Sequence, residues 1–343
     1  MTRSKCEWRV VPFWGFLVLV ASLVVSNAWA EPVARSDGLE QTQLEVPVSQ
    51  AAEAWIVSTR CVPMSCPTGV GPESFCYRVS HDRCPDWELS DGETFFASAD
   101  AHEPIVVFIH GNRTDSSDAV CDGWPVYQRL LTEAGGQPFR FVIWSWPAEQ
   151  VRGGPRKDAL VKAARSDVQS FCLAAWLDRL PSTVPVTLIG YSFGARIIGG
   201  ALHLAEGGKL LGKTYGSSAS DQMRRPVRVM LVASAIDCEW LLPGSRYGLA
   251  GQAVEQMLIT RNCCDRVLRL YPRMRRCDSS SALGFAGPAA PTRLAESGLA
   301  FETVPVECQV GKDHDWFRYL RSHAVCSRLA WYSFLIQESP SDN

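Results

Sequence analysis

The sequence predicts an α/β protein built on a doubly wound, mostly parallel sheet. Short apolar runs rich in β-branched residues recur along the chain at 104–109, 139–144, 186–189, 227–233 and 257–260. Segments with helical spacing of apolar residues fall between several of them, at 124–134 and 157–180. The runs show no polar/apolar alternation, as expected of strands covered on both faces by helices. At 343 residues and 46% hydrophobic content, the chain can bury a large core. The formal net charge of −2 gives no electrostatic reason to expect a nucleic-acid partner.

The first 30 residues read as a targeting segment. Arg3, Lys5 and Arg9 form a basic start, Phe13 to Val25 is apolar without a charge, and Ala28-Trp29-Ala30 places small residues at the two positions that determine cleavage. The apolar stretch is short against the roughly 20 residues of a membrane span. A signal peptide over 1–30 and export to the periplasm or the cell exterior are therefore expected, with a retained anchor as the other reading. Residues 31–50 are polar with scattered prolines and read as a disordered linker, which leaves 51–338 as the folded domain.

Of 13 cysteines only Cys6 lies in the targeting segment, so an even number remains, as disulfides in an exported protein require. Cys61, Cys66, Cys76 and Cys84 crowd into a Pro/Gly-rich stretch with little apolar periodicity. Burial alone is not expected to hold that stretch, so two local bridges are predicted there, within a cysteine-rich insertion over 61–84. Connectivity is not readable from spacing. No C-x-x-C pair is present, which weighs against a metal site.

The remaining elements follow in order. Ala54 to Thr59 reads as a first strand, and the cysteine-rich region runs on to about Asp100. Strands at 104–109 and 139–144 flank a helix over 124–134, which ends at Gly135-Gly136. A long helix over 157–180 precedes the strand at 186–189. A last strand is expected over Thr303–Val310 and a closing helical region over Trp316–Ile336. Residues 207–226 and 272–298 are rich in Gly, Ser and Pro and read as long connections of the kind that form lids or binding loops.

The chemistry centres on Gly190-Tyr191-Ser192-Phe193-Gly194. It stands between a strand and the helical run Ala195–Leu202, the setting in which G-x-S-x-G forms a nucleophile elbow. The turn is tight enough to need small residues on both sides of the serine, and it lifts the hydroxyl above the sheet edge at a helix start. An ordinary helix-start serine is the other reading of Ser192.

A serine hydroxyl is a poor nucleophile at neutral pH and needs a base that is itself oriented by an acid. In elbow enzymes the acid and then the histidine follow the serine. Of six histidines, only His314 and His323 follow the last predicted strand. His314 is favoured because its loop, Gly311–Trp316, comes directly after that strand, whereas His323 falls within the closing helix. Asp265, after the strand ending at Thr260, is the favoured acid, with Asp237, after the preceding strand, as its rival. Two backbone N–H groups must face a developing oxyanion. Phe193 supplies one by position. Asn112 is the second candidate, in the loop His110-Gly111-Asn112 after the strand at 104–109, where glycine lets the backbone approach closely.

The strand–His110-Gly111 loop, the elbow, the segment Asn262–Leu268 with Asp265, and His314 together resemble the α/β-hydrolase superfamily over roughly residues 54–336. They are also similar to a bacterial branch of exported serine hydrolases in which a strand ends in Asn-x-x-Asp and the histidine is followed by an aromatic. The resemblance implies an α/β-hydrolase fold and hydrolysis of a carboxylic ester, with thioester or amide as variants, through an acyl-enzyme. The substrate class it implies is a small-molecule or lipid-like ester, and the scheme calls for no metal or organic cofactor. Two departures stand out: the cysteine-rich segment, and Phe193 in place of the smaller residue often found after the nucleophile.

Two rival readings stay open. One is a non-catalytic protein of the same fold that serves binding or assembly. The other adds a docking role, with the cysteine-rich segment contacting the cell envelope. Arg273, Arg275 and Arg276, between the proposed acid and base, suggest a preference for anionic substrates, against the alternative of solvated surface charges.

Overall fold

The computed structural model describes residues 52–63, 71–81, 86–100, 102–216, 225–274 and 280–337. The expected targeting segment and linker, Cys66, Cys84, Cys277, Arg275 and Arg276 lie outside the described residues.

The strands, in chain order, are β1 (Glu53–Ser58), β2 (Cys76–Ser80), β3 (Glu88–Ser90), β4 (Ile105–Ile109), β5 (Arg140–Ser145), β6 (Val186–Tyr191), β7 (Lys209–Leu210), β8 (Lys213–Thr214), β9 (Val227–Val232), β10 (Gln256–Arg261) and β11 (Phe301–Pro305). Nine of them form one sheet in the order β11-β10-β9-β6-β4-β5-β1-β2-β3, parallel from β11 through β1 and antiparallel at β1–β2 and β2–β3. The fold is therefore α/β with a mostly parallel sheet. β4, β5 and β6 are buried along their whole length, in keeping with their largely apolar sequences, with Arg140 and Ser145 at the ends of β5 and Thr187 in β6 as the polar members.

After β4 the chain runs to β5 on one side and then crosses to β6 on the other, so β4 and β6 flank the point where strand order reverses. Their carboxyl ends pair in register, Ile109 with Gly190. Loops leaving such a point diverge and open a crevice, which is where open α/β sheets bind ligands.

The helices are α1 (Gly92–Ala97), α2 (Ser116–Glu133), α3 (Pro155–Asp178), α4 (Gly194–Ala205), α5 (Tyr271–Met274), α6 (Leu283–Ala286), α7 (Pro291–Glu296), α8 (Glu307–Val310), α9 (Trp316–Arg321) and α10 (His323–Tyr332). α3 packs on α4, while α2 packs against α9 and α10. No helix among the described residues is long and apolar enough to cross a membrane.

Four expectations need correction. α2 begins at Ser116, eight residues before its apolar spacing becomes readable, because Asp115 caps it. The Asp115 carboxylate accepts from Asp118 N–H at 2.8 Å, and the Asp118 side chain accepts in return from Asp115 N–H. The last strand stops at Pro305 rather than Val310, and α8 follows it. The closing region is two helices, separated by extended backbone at Ser322.

The fourth concerns the region 61–100. Its described part is not an irregular loop: β2 and β3 extend the sheet, and α1 sends Phe95 into the core. Phe75, Tyr77, Val79 and Phe95 are all buried. Phe95 meets Trp55 edge-on at 4.9 Å and Trp176 at 5.3 Å, and the Arg140 guanidinium lies 5.0 Å from its ring centre. Aromatic packing thus anchors a stretch expected to rely on cross-links.

Candidate active site

Ser192 follows the end of β6 and precedes α4, and its backbone is left-handed, at φ +53°. A non-glycine residue rarely adopts this conformation. Its N–H is tied to Val232 of the neighbouring strand at 2.9 Å. Gly194 is required by close approach, because a Cβ there would stand 2.2 Å from the Ile109 carbonyl oxygen. The tight turn thus packs the start of α4 directly on the end of β4.

Ser192 Oγ and His314 Nε2 are 3.0 Å apart, and His314 Nδ1 and Asp265 Oδ2 are 2.7 Å apart. A carboxylate only accepts, so Nδ1–H donates to Asp265 and the Nε2 lone pair is left to accept the Ser192 hydroxyl. His314 stands in the loop between α8 and α9, and its ring stacks on Tyr191 at 5.3 Å and 29°. Tyr191 in turn touches Trp316, whose Nε1–H donates to the Asp122 carbonyl in α2. The aromatic beside the serine therefore covers one face of the imidazole and is itself backed by the aromatic beyond the histidine.

Asp265 is fully buried and accepts four hydrogen bonds. Oδ1 takes the N–H groups of Val267 and Leu268, both at 2.9 Å, while Oδ2 takes His314 and the Tyr319 hydroxyl at 2.9 Å. Burial works against its charge, but His314, Leu268 N–H and Tyr319 outweigh it, and the carboxyl sits below its ordinary range. Burial, and next the Asp265 charge, push the Tyr319 phenol well above its own range, which keeps it a donor. Asn262 completes the arrangement: its amide donates to Tyr319 Oη at 3.1 Å and to the Gly311 carbonyl at 3.0 Å, joining the acid loop to the histidine loop.

The rival acid Asp237 accepts from Tyr271 Oη at 2.6 Å, and the rival base His323 is exposed at the start of α10. Neither contributes to the Ser192–His314–Asp265 chain of hydrogen bonds.

The loop after β4 lies against the elbow. A Cβ on Gly111 would come within 2.9 Å of the Tyr191 ring and 3.3 Å of Ser192 Cβ, so the backbone leading into Asn112 passes directly beside the serine. Among the described residues, no protein acceptor takes the backbone N–H of Phe193 or of Asn112. Two undonated amides thus stand near Ser192, one on the residue after it and one in the loop after β4.

Two features of this loop are tertiary contacts that no motif announces. The first is Asp158 in α3, a carboxylate with no exposed surface. It takes Asn112 Nδ2 at 3.1 Å, Arg113 Nε at 3.0 Å, Val151 N–H at 2.8 Å and Lys162 Nζ at 3.0 Å. Burial opposes its ionisation, but Val151, Lys162, Arg113 and Asn112 together hold its pKa down to about 2. This anchor fixes a loop in which Arg113 adopts φ +61°.

The second is the environment of His110. Burial draws its pKa down to about 3, so the ring is neutral. Nδ1–H donates to Gly111 O at 3.0 Å, while Nε2 accepts from Trp146 N–H at 3.2 Å and faces Arg60 Nη2 at 3.4 Å. Arg60 also donates to the Thr114 carbonyl at 3.2 Å and to Ser145 Oγ at 2.8 Å, and it pairs with Glu149. His110 is a structural hydrogen-bonding residue here, as its early place in the chain leads one to expect.

Among the described residues, no group of three or more His, Cys, Asp or Glu side chains is placed to hold a metal ion. Arg273 in α5 is exposed. Compared with protein-family models, with curated proteins and with solved structures, the chain matches none.

Proposed function

We propose that this protein is an exported serine hydrolase of the α/β-hydrolase type that cleaves a carboxylic ester through an acyl-enzyme, thioester and amide bonds being accessible to the same apparatus. The single observation that carries the reading is the chain Ser192 Oγ–His314 Nε2, His314 Nδ1–Asp265 Oδ2, at 3.0 and 2.7 Å, on a serine in left-handed backbone at the end of β6.

In the proposed reaction, Ser192 Oγ attacks the carbonyl carbon and its proton passes to His314 Nε2. The Phe193 and Asn112 amides then stabilise the oxyanion, an interaction whose loss costs roughly 10²–10³ in rate for one donor. Asp265 keeps His314 in the required tautomer and offsets the imidazolium charge. Collapse of the intermediate expels the alcohol, which takes the proton from His314. Water deprotonated by His314 then releases the acid and regenerates Ser192. The substrate proposed is a small-molecule or lipid-like ester.

The test is labelling of the oxidised full-length protein by a fluorophosphonate, alongside Ser192→Ala and His314→Ala. The reading expects rapid labelling of the parent and loss of labelling in both variants, with thermal unfolding unchanged. A well-folded parent that stays unlabelled and hydrolyses no ester in a chain-length series would overturn it in favour of a binding protein.

A further inference from the structure

Cys61 and Cys76 lie at the mouth of the connection between β1 and β2. β1 ends at Ser58, which pairs across the ladder with Cys76, the first residue of β2. Between Ser58 and Cys61 the chain turns through Thr59 and Arg60, and Val62 N–H closes the turn on the Thr59 carbonyl at 3.1 Å. The turn brings Cys61 Sγ to 3.2 Å from Cys76 Sγ, with the Ser74 carbonyl 3.5 Å from Cys61 Sγ. Both cysteines are exposed. A disulfide requires about 2.05 Å between sulfurs, so roughly 1 Å of closure separates this pair from a bond. Cys172, by contrast, is buried in α3, and burial pushes its thiol up to about 12, which leaves it inert.

We infer that Cys61 and Cys76 form a disulfide that staples the β1–β2 edge of the sheet. The oxidant is an external disulfide. One cysteine thiolate attacks it and expels the first leaving thiolate. The second cysteine then attacks the protein-side sulfur of the mixed disulfide and expels the other. Two protein thiols thus lose two electrons and two protons, and one external disulfide becomes two thiols. In the cell the supply of that oxidant rests on the proposed export. The chemistry itself does not, and neither does the test.

The staple has a consequence for the site, because its first residue follows Arg60. That side chain reaches the Thr114 carbonyl and His110, on either side of the Gly111-Asn112 backbone. A bond at Cys61 therefore fixes the Cα from which Arg60 supports the loop carrying the Asn112 amide. It places a redox-dependent cross-link one residue from the brace of the proposed oxyanion hole, in a region where aromatic burial already secures Tyr77 and Phe95.

The test uses the full chain, equilibrated in a reduced/oxidised glutathione mixture and then alkylated. It is digested without reduction by trypsin and by a protease that cuts after Glu73. Fragmentation between Cys61 and Cys66 identifies the bonded sulfur. The expected result is a peptide pair joined Cys61 to Cys76, two hydrogens lighter than the reduced pair. Recovery of either cysteine alkylated, or joined to another cysteine, would overturn the inference whatever the protein does to a fluorophosphonate. The Cys61→Ser/Cys76→Ser double variant is expected to melt roughly 5–10 °C below the oxidised parent, as loss of a short cross-linked loop predicts. An unchanged melting temperature would remove the staple role even with the bond present.

Discussion

Tyr319 donates its hydroxyl to the same Asp265 oxygen that receives the His314 ring. The phenol lies 2.9 Å from Oδ2 and the imidazole 2.7 Å, so each shapes the other's share of the carboxylate charge. Tyr319→Phe deletes a donor while keeping the packing of a fully buried ring. The Asp265 carboxyl is expected to rise toward its ordinary range. Fluorophosphonate labelling is expected to slow about tenfold, the worth of one hydrogen bond to a charged group. Labelling kinetics across pH check this, since a change in packing alone would not shift the profile.

Asp158 separates stability from loop geometry. Asp158→Asn leaves Lys162, which has no exposed side-chain surface, without its counter-charge. A loss of about 3–5 kcal/mol is expected in denaturant unfolding. In the double variant Asp158→Leu/Lys162→Met no charge is stranded, and most of that stability is expected to return. Labelling is expected to remain slow, because Asn112 and Arg113 lose their anchor. Full recovery of both readouts would show that Asp158 has no part in holding the loop.

The neutral His110 predicts an acid sensitivity of definite sign. Its folded pKa of about 3 lies below the ordinary histidine value of 6.5, so between those limits the unfolded chain binds the extra proton. Stability is therefore expected to fall as pH drops from about 6.5 toward 3, by up to about 1.4 kcal/mol per pH unit from this residue alone. Asp158 adds to the loss only near the lower end, between its ordinary value of 3.8 and about 2, where the carboxylate finally protonates. Unfolding midpoints of the parent and of His110→Gln, compared from pH 7 to 4, check this. The variant is expected to be less stable at pH 7 and to have the flatter profile.

At the elbow, Gly194→Ala would put a methyl 2.2 Å from the Ile109 carbonyl, a backbone atom that has no rotamer to escape into. A loss of about 3 kcal/mol is expected, from overpacking together with displacement of α4 from β4. Gly212→Ala is the control. That glycine has positive φ, which Gly194 does not, and open space around its Cβ position, so it is expected to register backbone strain without the clash. Thermal melts of the two variants separate the terms.

The central strands and the loops carrying Ser192, Asp265 and His314 are readable in the sequence because each depends on local chemistry: an unbroken apolar run, then a turn residue, then a polar group. Elements started by a cap or held by longer-range contacts are not. The first turn of α2, Ser116-Ser117-Asp118, is polar and is started by a reciprocal cap rather than by apolar spacing. β2 and β3 are short strands at one end of the sheet, β3 its edge, and Leu89 at 83% exposure contributes nothing to a burial pattern. α8 continues an apolar stretch that starts as β11, and the change of period at Pro305 is too brief to register. Asp158 is the instructive omission. It lies 46 residues from Asn112 in sequence, inside a helix whose other carboxylates face solvent or arginine, and only tertiary structure brings it to the loop. A carboxylate one turn before a lysine, Asp158 and Lys162, is the sole trace it leaves.

The hydrogen bond between Ser192 and His314 closes a separation of 122 residues. Its two ends lie in the turn after β6 and in the loop between α8 and α9, with β9, β10 and β11 between them in sequence. During synthesis the elbow emerges before the histidine loop, whose neighbours are β11, paired with β10, and α9, which sets Trp316 and Tyr319 against Tyr191. Such far-reaching pairings form slowly and late. The pairing of Ser192 with His314 therefore depends on the sheet being assembled through its last strand. On the proposed function, a chain whose last strand has not docked would hold Ser192 without the base that activates it.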